Sequence, residues 1–369
     1  MIHLHLIHLQ LSNAHSIHLH HSVHLHLIKK KLVLLIAAAL LFFCLPGASL
    51  RAEEATDWPL SRTGFFFDTV VTVSLYGPAD EPDSSSAEDS ARLLLDECFE
   101  RMAEYEDLFS RTKEGSDVWN INHANGKATT VSEETAALIR SAAEVSELTQ
   151  GAFDITIAPA AALWDFSGGE DPSLPDEKEL LDAVSHIDYQ QIRTDGNQVT
   201  LTDPDASIDL GGIAKGYISD VLRDLIEERG CSAALINLGG NVMTVGTKSD
   251  KTPWRIGIRR PFGNSDSDLA CVVETDRGCV ITSGSYERYF EKDGVLYHHI
   301  LDPDTGYPVQ NHLVSVSILT EDGTLGDALS TSCFILGEEE GLALAESLEG
   351  TEALFITDTG KQIHTSGWR

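Results

Sequence analysis

The stretch that decides the fold class is "DLGGIAKGYISDVLRDLIEERGCSAALINLGG", residues 209–240. Paired glycines open it, a helical run closes at Gly230, and the short apolar strand "AALINL" follows before a second glycine pair. The same mixture continues outward in both directions. Upstream, "AEDSARLLLDECFERMAEYEDLFS" sets Leu94, Cys98 and Met102 at helical spacing, with Leu95, Phe99 and Leu108 widening the apolar face. "SEETAALIRSAAEVSELTQ" reads as a helix with Ser132 as N-cap and Gly151 as stop, and "GFFFDTVVTVSLYG" from Gly64 reads as one strand. Downstream, "WRIGI", "CVVE", "CVITS", "LVSVSIL" and "ALFIT" are short apolar strands. Helices and strands alternate irregularly and no repeat of 20 to 50 residues recurs, so the fold class is α+β, a single mixed α/β domain.

The N-terminal part differs in kind. Residues 1–28 hold nine of the fifteen histidines, set among Leu and Ile without an acid, and read as a low-complexity extension upstream of the true start. Residues 29–52 follow the order of a secretory signal: Lys29, Lys30 and Lys31, the apolar run "LVLLIAAALLFFCL", then small residues. The run is short of the roughly 20 residues of a membrane span. Phe42 and Phe43 ahead of Cys44 are bulky for a lipoprotein site, and cleavage near Ala48 or Ala52 fits the small residues. The protein therefore reads as exported, with its domain over 53–369 and the plasma membrane as its nearest surface. The loop "PADEPDSSSAEDS" is an acidic surface insertion.

The whole chain carries 26 basic and 58 acidic residues. Four basic residues and no acids precede Glu53, leaving 22 against 58, a charge of −36. Such a surface repels nucleic acid. An anionic ligand must then be met by a metal ion, a lysine or backbone amides. Cys98, Cys231, Cys271, Cys279 and Cys333 show no zinc spacing, so buried free thiols are expected.

Four segments carry chemistry. "GAFDITIAPAAALWDFSGG", residues 151–169, offers aromatic faces to a flat ligand or, read plainly, a core strand and a packed loop. "DLGGIAKGYISD", residues 209–220, lets a backbone approach a phosphate at a helix start, and Lys215 opposes the dipole there, as a ligand-binding lysine does. In "GDALSTSCFILG", residues 326–337, Asp327 and Thr331 stand at i and i+4 if the segment is helical, two hard oxygens for Mg²⁺, or a dipole-stabilising acid beside a packed threonine. "YHHILDPDTGYP", residues 297–308, pairs two histidines with a turn; one can serve as a general base, and the other reads as an outward strand residue.

Together with "LFSRTKEGSDVWNIN", "INLGG" and "TSGSYERYF", these segments in this order resemble the ApbE family of FAD:protein FMN transferases, from about Phe67 to Gly337. The resemblance implies the ApbE-type fold and an extracytoplasmic enzyme that binds FAD, uses Mg²⁺ and transfers FMN to a Thr or Ser hydroxyl of an acceptor flavoprotein, with AMP leaving. It implies Asp209 and Lys215 at the flavin nucleotide, the Gly212 carbonyl with Asp327 and Thr331 at the metal, and Ala152, Phe153, Asp154 and the Leu301 backbone at the flavin. His299, before "ILDP", takes the catalytic position. Phe67 stands where the family commonly has a flavin-contacting methionine, and Gly326 where it has alanine. The acceptor implied is a subunit of an Rnf-type or sodium-pumping NADH:quinone reductase complex, or an exported reductase. The competing readings are a Mg²⁺-dependent FAD pyrophosphatase giving FMN and AMP, and a non-catalytic flavin carrier.

Expression from Lys29 behind an added Met is expected to give secreted protein whose N-terminus, by mass spectrometry, lies just after Ala48 or Ala52. An intact apolar segment held in the membrane fraction would contradict cleavage.

Overall fold

The structure, a computed structural model, describes residues 58–79, 86–166, 172–265 and 267–368. The His-rich extension, the signal-like segment, and parts of the acidic loop and of the 151–169 stretch lie outside the described residues. In chain order the strands are β1 (Leu60–Phe66), β2 (Thr69–Leu75), β3 (Thr129–Thr130), β4 (Ile192–Asp195), β5 (Gln198–Leu201), β6 (Ala233–Leu238), β7 (Asn241–Gly246) and β8 (Trp254–Arg259). β9 (Leu269–Thr275), β10 (Gly278–Gly284), β11 (Tyr289–Lys292), β12 (Val295–His298), β13 (Leu313–Thr320), β14 (Glu352–Thr357) and β15 (Gln362–His364) follow. The helices are α1 (Ala87–Phe109), α2 (Asp117–Asn122), α3 (Glu133–Leu148), α4 (Ala158–Ala161), α5 (Glu177–Val184), α6 (Ala214–Glu228) and α7 (Gly323–Ser347).

Eight strands form one antiparallel sheet in the order β1-β2-β6-β7-β10-β13-β14-β15. Because side chains alternate across a strand, each strand feeds two cores. Ala234, Ile236, Leu238, Met243 and Ile281 face the side packed by α1 and α6, among Leu94, Cys98, Met102, Ile218 and Leu222. Ala233, Leu235, Val242 and Val280 face the other side, where the separate β8–β9 hairpin covers them with Trp254, Ile256 and Val273. α7 packs Leu329, Cys333 and Phe334 on Val316, Ile318 and Phe355. The mixed single-domain reading holds. So do the cap at Ser132, which accepts from Thr135 N, and the stops at Gly151 and Gly230, with φ of 90° and 71°. The five described cysteines are free, and four of them are buried.

One expectation is corrected. The run from Gly64 to Gly77 is not one strand but a hairpin, broken at Phe67 and Asp68, whose φ of 53° and 56° form a two-residue turn. A bulky residue at positive φ is disfavoured by its own backbone. A tertiary contact holds it: Phe67 N–H donates to Glu106 Oε1 of α1 at 2.8 Å.

What places the functional end of the molecule is the crossing of α6 and α7. A Cβ on Gly216 would stand 2.0 Å from the Gly323 carbonyl oxygen and 2.7 Å from Asp327 Cβ, so the helices touch backbone to backbone. Each helix also caps the other. Asp220 of α6 accepts from Gly323 N at 2.9 Å and Thr324 N at 2.8 Å, while Asp327 of α7 accepts from Gly216 N at 2.9 Å. α6 needs this, since its own N-cap residue, Ile213, supplies no side-chain bond.

Gly216→Ala is expected to force the helices apart and to cost about 1–3 kcal/mol or more. The check is a urea midpoint lowered at unchanged slope; a midpoint equal to wild type would show that the close approach is dispensable.

Candidate active site

The site assembles at the sheet end where the β1–β2 and β6–β7 turns meet. Gly239 N–H donates to the Val70 carbonyl at 3.1 Å, and a Cβ on Gly239 would lie 2.5 Å from Thr69 Oγ1. Behind these turns sits Asp327, 4% exposed. Its Oδ2 accepts from Gly216 N, its Oδ1 accepts from Asn241 Nδ2 at 2.8 Å, and Lys215 Nζ stands 3.6 Å from Oδ1. The segment is helical, so Thr331 follows one turn later, its hydroxyl 3.3 Å from Ser283 Oγ at the end of β10. Gly212 adjoins Thr331: a Cβ there would be 3.8 Å from Thr331 Oγ1 and 3.1 Å from Phe153 Cε2. A carboxylate, a hydroxyl and a loop carbonyl form a hard oxygen set of the kind Mg²⁺ takes. Both Asp327 oxygens keep a lone pair after their protein bonds, so the donor set fits the ion. The plain reading of Asp327 as stabiliser of its own helix dipole is corrected: it caps the neighbouring helix.

The "DLGG" loop is tied to the 151–158 segment by Asp209 N–H donating to the Ile155 carbonyl at 2.8 Å. Asp209 spends Oδ1 on Gly211 N at 2.8 Å and pairs Oδ2 with Arg111 Nε at 3.0 Å. Lys215 Nζ reaches back to the Gly211 carbonyl at 3.2 Å. Asp154 is turned inward: Oδ1 accepts from Thr156 N and Oγ1 at 2.7 and 2.6 Å, and Oδ2 from Tyr189 N at 2.8 Å. Burial lifts its carboxyl above the usual range against these bonds. It caps a 3₁₀ turn at Ile155–Ile157, so the segment forms no core strand. Nor do its rings line an open slot. Trp164 is buried, stacks on Phe166 at 5.7 Å and Tyr297 at 5.8 Å, and donates Nε1–H to the Gly306 carbonyl at 2.9 Å. These rings brace the β11–β12 ribbon and the "DPDTG" turn instead.

That ribbon delivers the histidines, and the expected outward histidine is corrected. His298, the last residue of β12, is 3% exposed and lies edge-on to Phe334 at 5.5 Å. Its Nε2–H donates to the Val309 carbonyl at 3.0 Å, and its Nδ1 accepts from Ile300 N at 3.3 Å. Both nitrogens are thus spent. His299 leaves the strand half-buried. Its backbone N–H donates to the Arg288 carbonyl at 3.1 Å, and its Nδ1 lies 3.4 Å from the same oxygen. That contact favours the Nδ1–H tautomer and leaves the Nε2 lone pair available. Desolvation pushes both imidazoles down to about 4, with the charges of Arg288 and Lys215 adding to the effect at His299. Leu301, buried, bridges to Pro308.

Phe67, Gly212, Lys215, Asp327 and Thr331 thus gather around the α6–α7 crossing and the turns beside it, with Phe153 and Asp209 adjoining. His299 and Leu301 arrive from the ribbon. Ala152 lies half-buried ahead of Phe153. Sequence reasoning missed Arg111, the partner of Asp209, and Asn241. It also missed Glu287, whose carboxyl is raised by desolvation against the pull of Lys215, Arg259 and Arg288. The signal was present: each lies in or beside a quoted motif, Arg111 in "LFSRTKEGSDVWNIN", Glu287 in "TSGSYERYF" and Asn241 directly after "INLGG".

Residues 67–355 match the model of the ApbE family. The FAD:protein FMN transferase of Klebsiella pneumoniae is 38% identical over 279 residues, covering 75% of this chain and 86% of that protein. The FAD:protein FMN transferase of Treponema pallidum is 33% identical over 326 residues, covering 84% and 86%. Among solved structures, the ApbE protein of Thermotoga maritima superposes with a TM-score of 0.74 at 34% identity, covering 84% of this chain and 97% of that one. The apo flavinyl transferase ApbE of Pseudomonas stutzeri gives 0.72 at 29% identity, covering 84% and 95%.

His298 makes stability pH-dependent with a definite sign. Its folded pKa, about 4, lies below the unfolded value near 6.5, so the unfolded chain binds the proton first and stability falls as pH drops through that window. Between pH 7 and pH 5 the loss from this group is roughly 2 kcal/mol. Urea unfolding of wild type and His298→Gln at both pH values checks it: the variant, weaker at pH 7, is expected to lose less on acidification.

Proposed function

The chain belongs to the ApbE family, and we infer that it is an FAD:protein FMN transferase, which moves the FMN half of FAD onto a hydroxyl of an acceptor flavoprotein and releases AMP. The observation that carries the reading is the oxygen-donor set with its cation: Lys215 stands 3.6 Å from Asp327, and Thr331 and Gly212 adjoin one another one helical turn on.

The diphosphate of FAD is anionic and the protein is strongly acidic, so the local cations and amides must hold it. Lys215 supplies a cation where the "DLGG" glycines let the backbone come close. The acceptor Thr or Ser oxygen attacks the phosphorus of the FMN half, the P–O bond to the AMP phosphate breaks, and the hydroxyl proton passes to Nε2 of His299. With its pKa near 4 the imidazole is neutral at physiological pH and able to take that proton. Asp327, Thr331 and the Gly212 carbonyl would hold Mg²⁺, which when bound neutralises diphosphate charge. Ala152, Phe153, Asp209 and the Leu301 backbone are assigned to the flavin nucleotide. So is Asp154, through its main chain since its oxygens are engaged, and Phe67 through the face of its turn. The signal-like segment supports action outside the cytoplasm. The acceptors to test there are subunits of Rnf-type or sodium-pumping NADH:quinone reductase complexes and exported reductases.

In a mixture of FAD, Mg²⁺ and a Thr-bearing acceptor domain, His299→Ala is expected to lower covalent flavin fluorescence on a denaturing gel about 10²–10⁴-fold. The acid limb of wild-type kcat/KM is expected well below pH 6.5, as a depressed imidazole requires. Labelling by His299→Ala equal to wild type would refute its role as base. AMP release without labelling of any acceptor would replace transfer by pyrophosphate hydrolysis.

A further inference from the structure

We propose that Asn241 is a positioning residue that holds the Asp327 carboxylate in its metal-binding orientation and keeps its Oδ1 from a direct hydrogen bond to Lys215. This rests on the reading of Asp327 as a Mg²⁺ ligand. The residue is held firmly. Asn241 opens β7 directly after the Gly239–Gly240 turn, paired in register with Leu238. Gly239 and Gly240 have φ of 64° and 100°, and Gly240 N–H donates to Asn237 Oδ1 at 2.8 Å. Thr69 packs where a Gly239 side chain would be, so this turn has no room to shift.

From that backbone the Asn241 side chain, 3% exposed, donates Nδ2–H to Asp327 Oδ1 at 2.8 Å. An ionised carboxylate only accepts, which sets the amide with its nitrogen toward the aspartate. Gly216 N–H holds the other oxygen at 2.9 Å. The carboxylate is thus gripped from β7 on one side and α6 on the other, with one lone pair of each oxygen left over. The choice of an uncharged donor matters. Lys215 Nζ is 3.6 Å from Oδ1, too far for a hydrogen bond and near enough to form one after a small rotation. The two already pair as charges, but a closer, hydrogen-bonded contact would take up the Oδ1 lone pair that a divalent ion needs. Asn241 fixes Oδ1 without neutralising it, the part that outer partners play for metal-binding carboxylates generally.

The test uses the full folded chain and Mn²⁺ alone, with free ion measured by electron paramagnetic resonance. Asn241→Leu keeps the side-chain volume and removes the donor; its Mn²⁺ Kd is expected to rise about 10–100-fold. Asn241→Ala, made in parallel in case the leucine variant fails to fold, is expected to behave likewise. Replacing Lys215 by Met in the Asn241→Leu background is expected to recover part of the affinity, which a purely structural role for Asn241 would not produce. A Kd within twofold of wild type in either folded Asn241 variant overturns the proposal and leaves the transferase reading intact. Wild-type Mn²⁺ binding that is absent, or unchanged in Asp327→Asn, removes Asp327 as a ligand and overturns the proposal together with its premise.

Discussion

Two helices that cap each other are the constraint on which the site depends. The four leading N–H groups of any helix lack partners within it, and here part of that deficit is met across the crossing: Asp220 of α6 serves α7, and Asp327 of α7 serves α6. The exchange requires the backbones to touch, so Gly216 and Gly323 face each other where any side chain would collide. One arrangement therefore fixes the helix crossing, the start of α6 and the orientation of the Asp327 carboxylate.

The electrostatics follow from the same place. A chain with net charge −32 must bind an anionic nucleotide, and it does so by spending its own acids inward. Asp154 is used up by Thr156 and Tyr189, Asp209 by Gly211 and Arg111, and Asp220 by α7 and Arg223. Beside Asp327 stands Lys215, which also reaches the Gly211 carbonyl of the glycine-rich loop. Asp327, held by Gly216 N and Asn241 Nδ2, keeps one lone pair on each oxygen.

The two histidines divide because the strand ends between them. His298 belongs to β12, where the pleat turns it into the core and both ring nitrogens find backbone partners. His299 is the first residue past the strand, gripped by the Arg288 carbonyl on one side and open at Nε2. The aromatic stack of Trp164, Phe166, Phe290 and Tyr297 beneath the ribbon makes that placement rigid.

Much of this could be read from the residues. The 3.6-residue spacing of Leu94, Cys98 and Met102, the cap at Ser132 and the glycine stops are local signals, and local physics suffices for them. Apolar runs such as "AALINL" and "LVSVSIL" mark strands for the same reason. The motif residues of the site were legible as residue types in order along the chain, since chemistry demands a base, a cation and hard oxygens. The sequence could not show which groups those residues spend their bonds on. Phe67 and Asp68 take a turn that their own backbones disfavour, because α1 supplies Glu106. Asp327 caps a helix over a hundred residues away in sequence, at Gly216, and shares its carboxylate with Asn241 of β7. His298 goes inward because the Val309 carbonyl waits for it. Each of these depends on partners remote in sequence that only closure of the tertiary structure brings within hydrogen-bond reach.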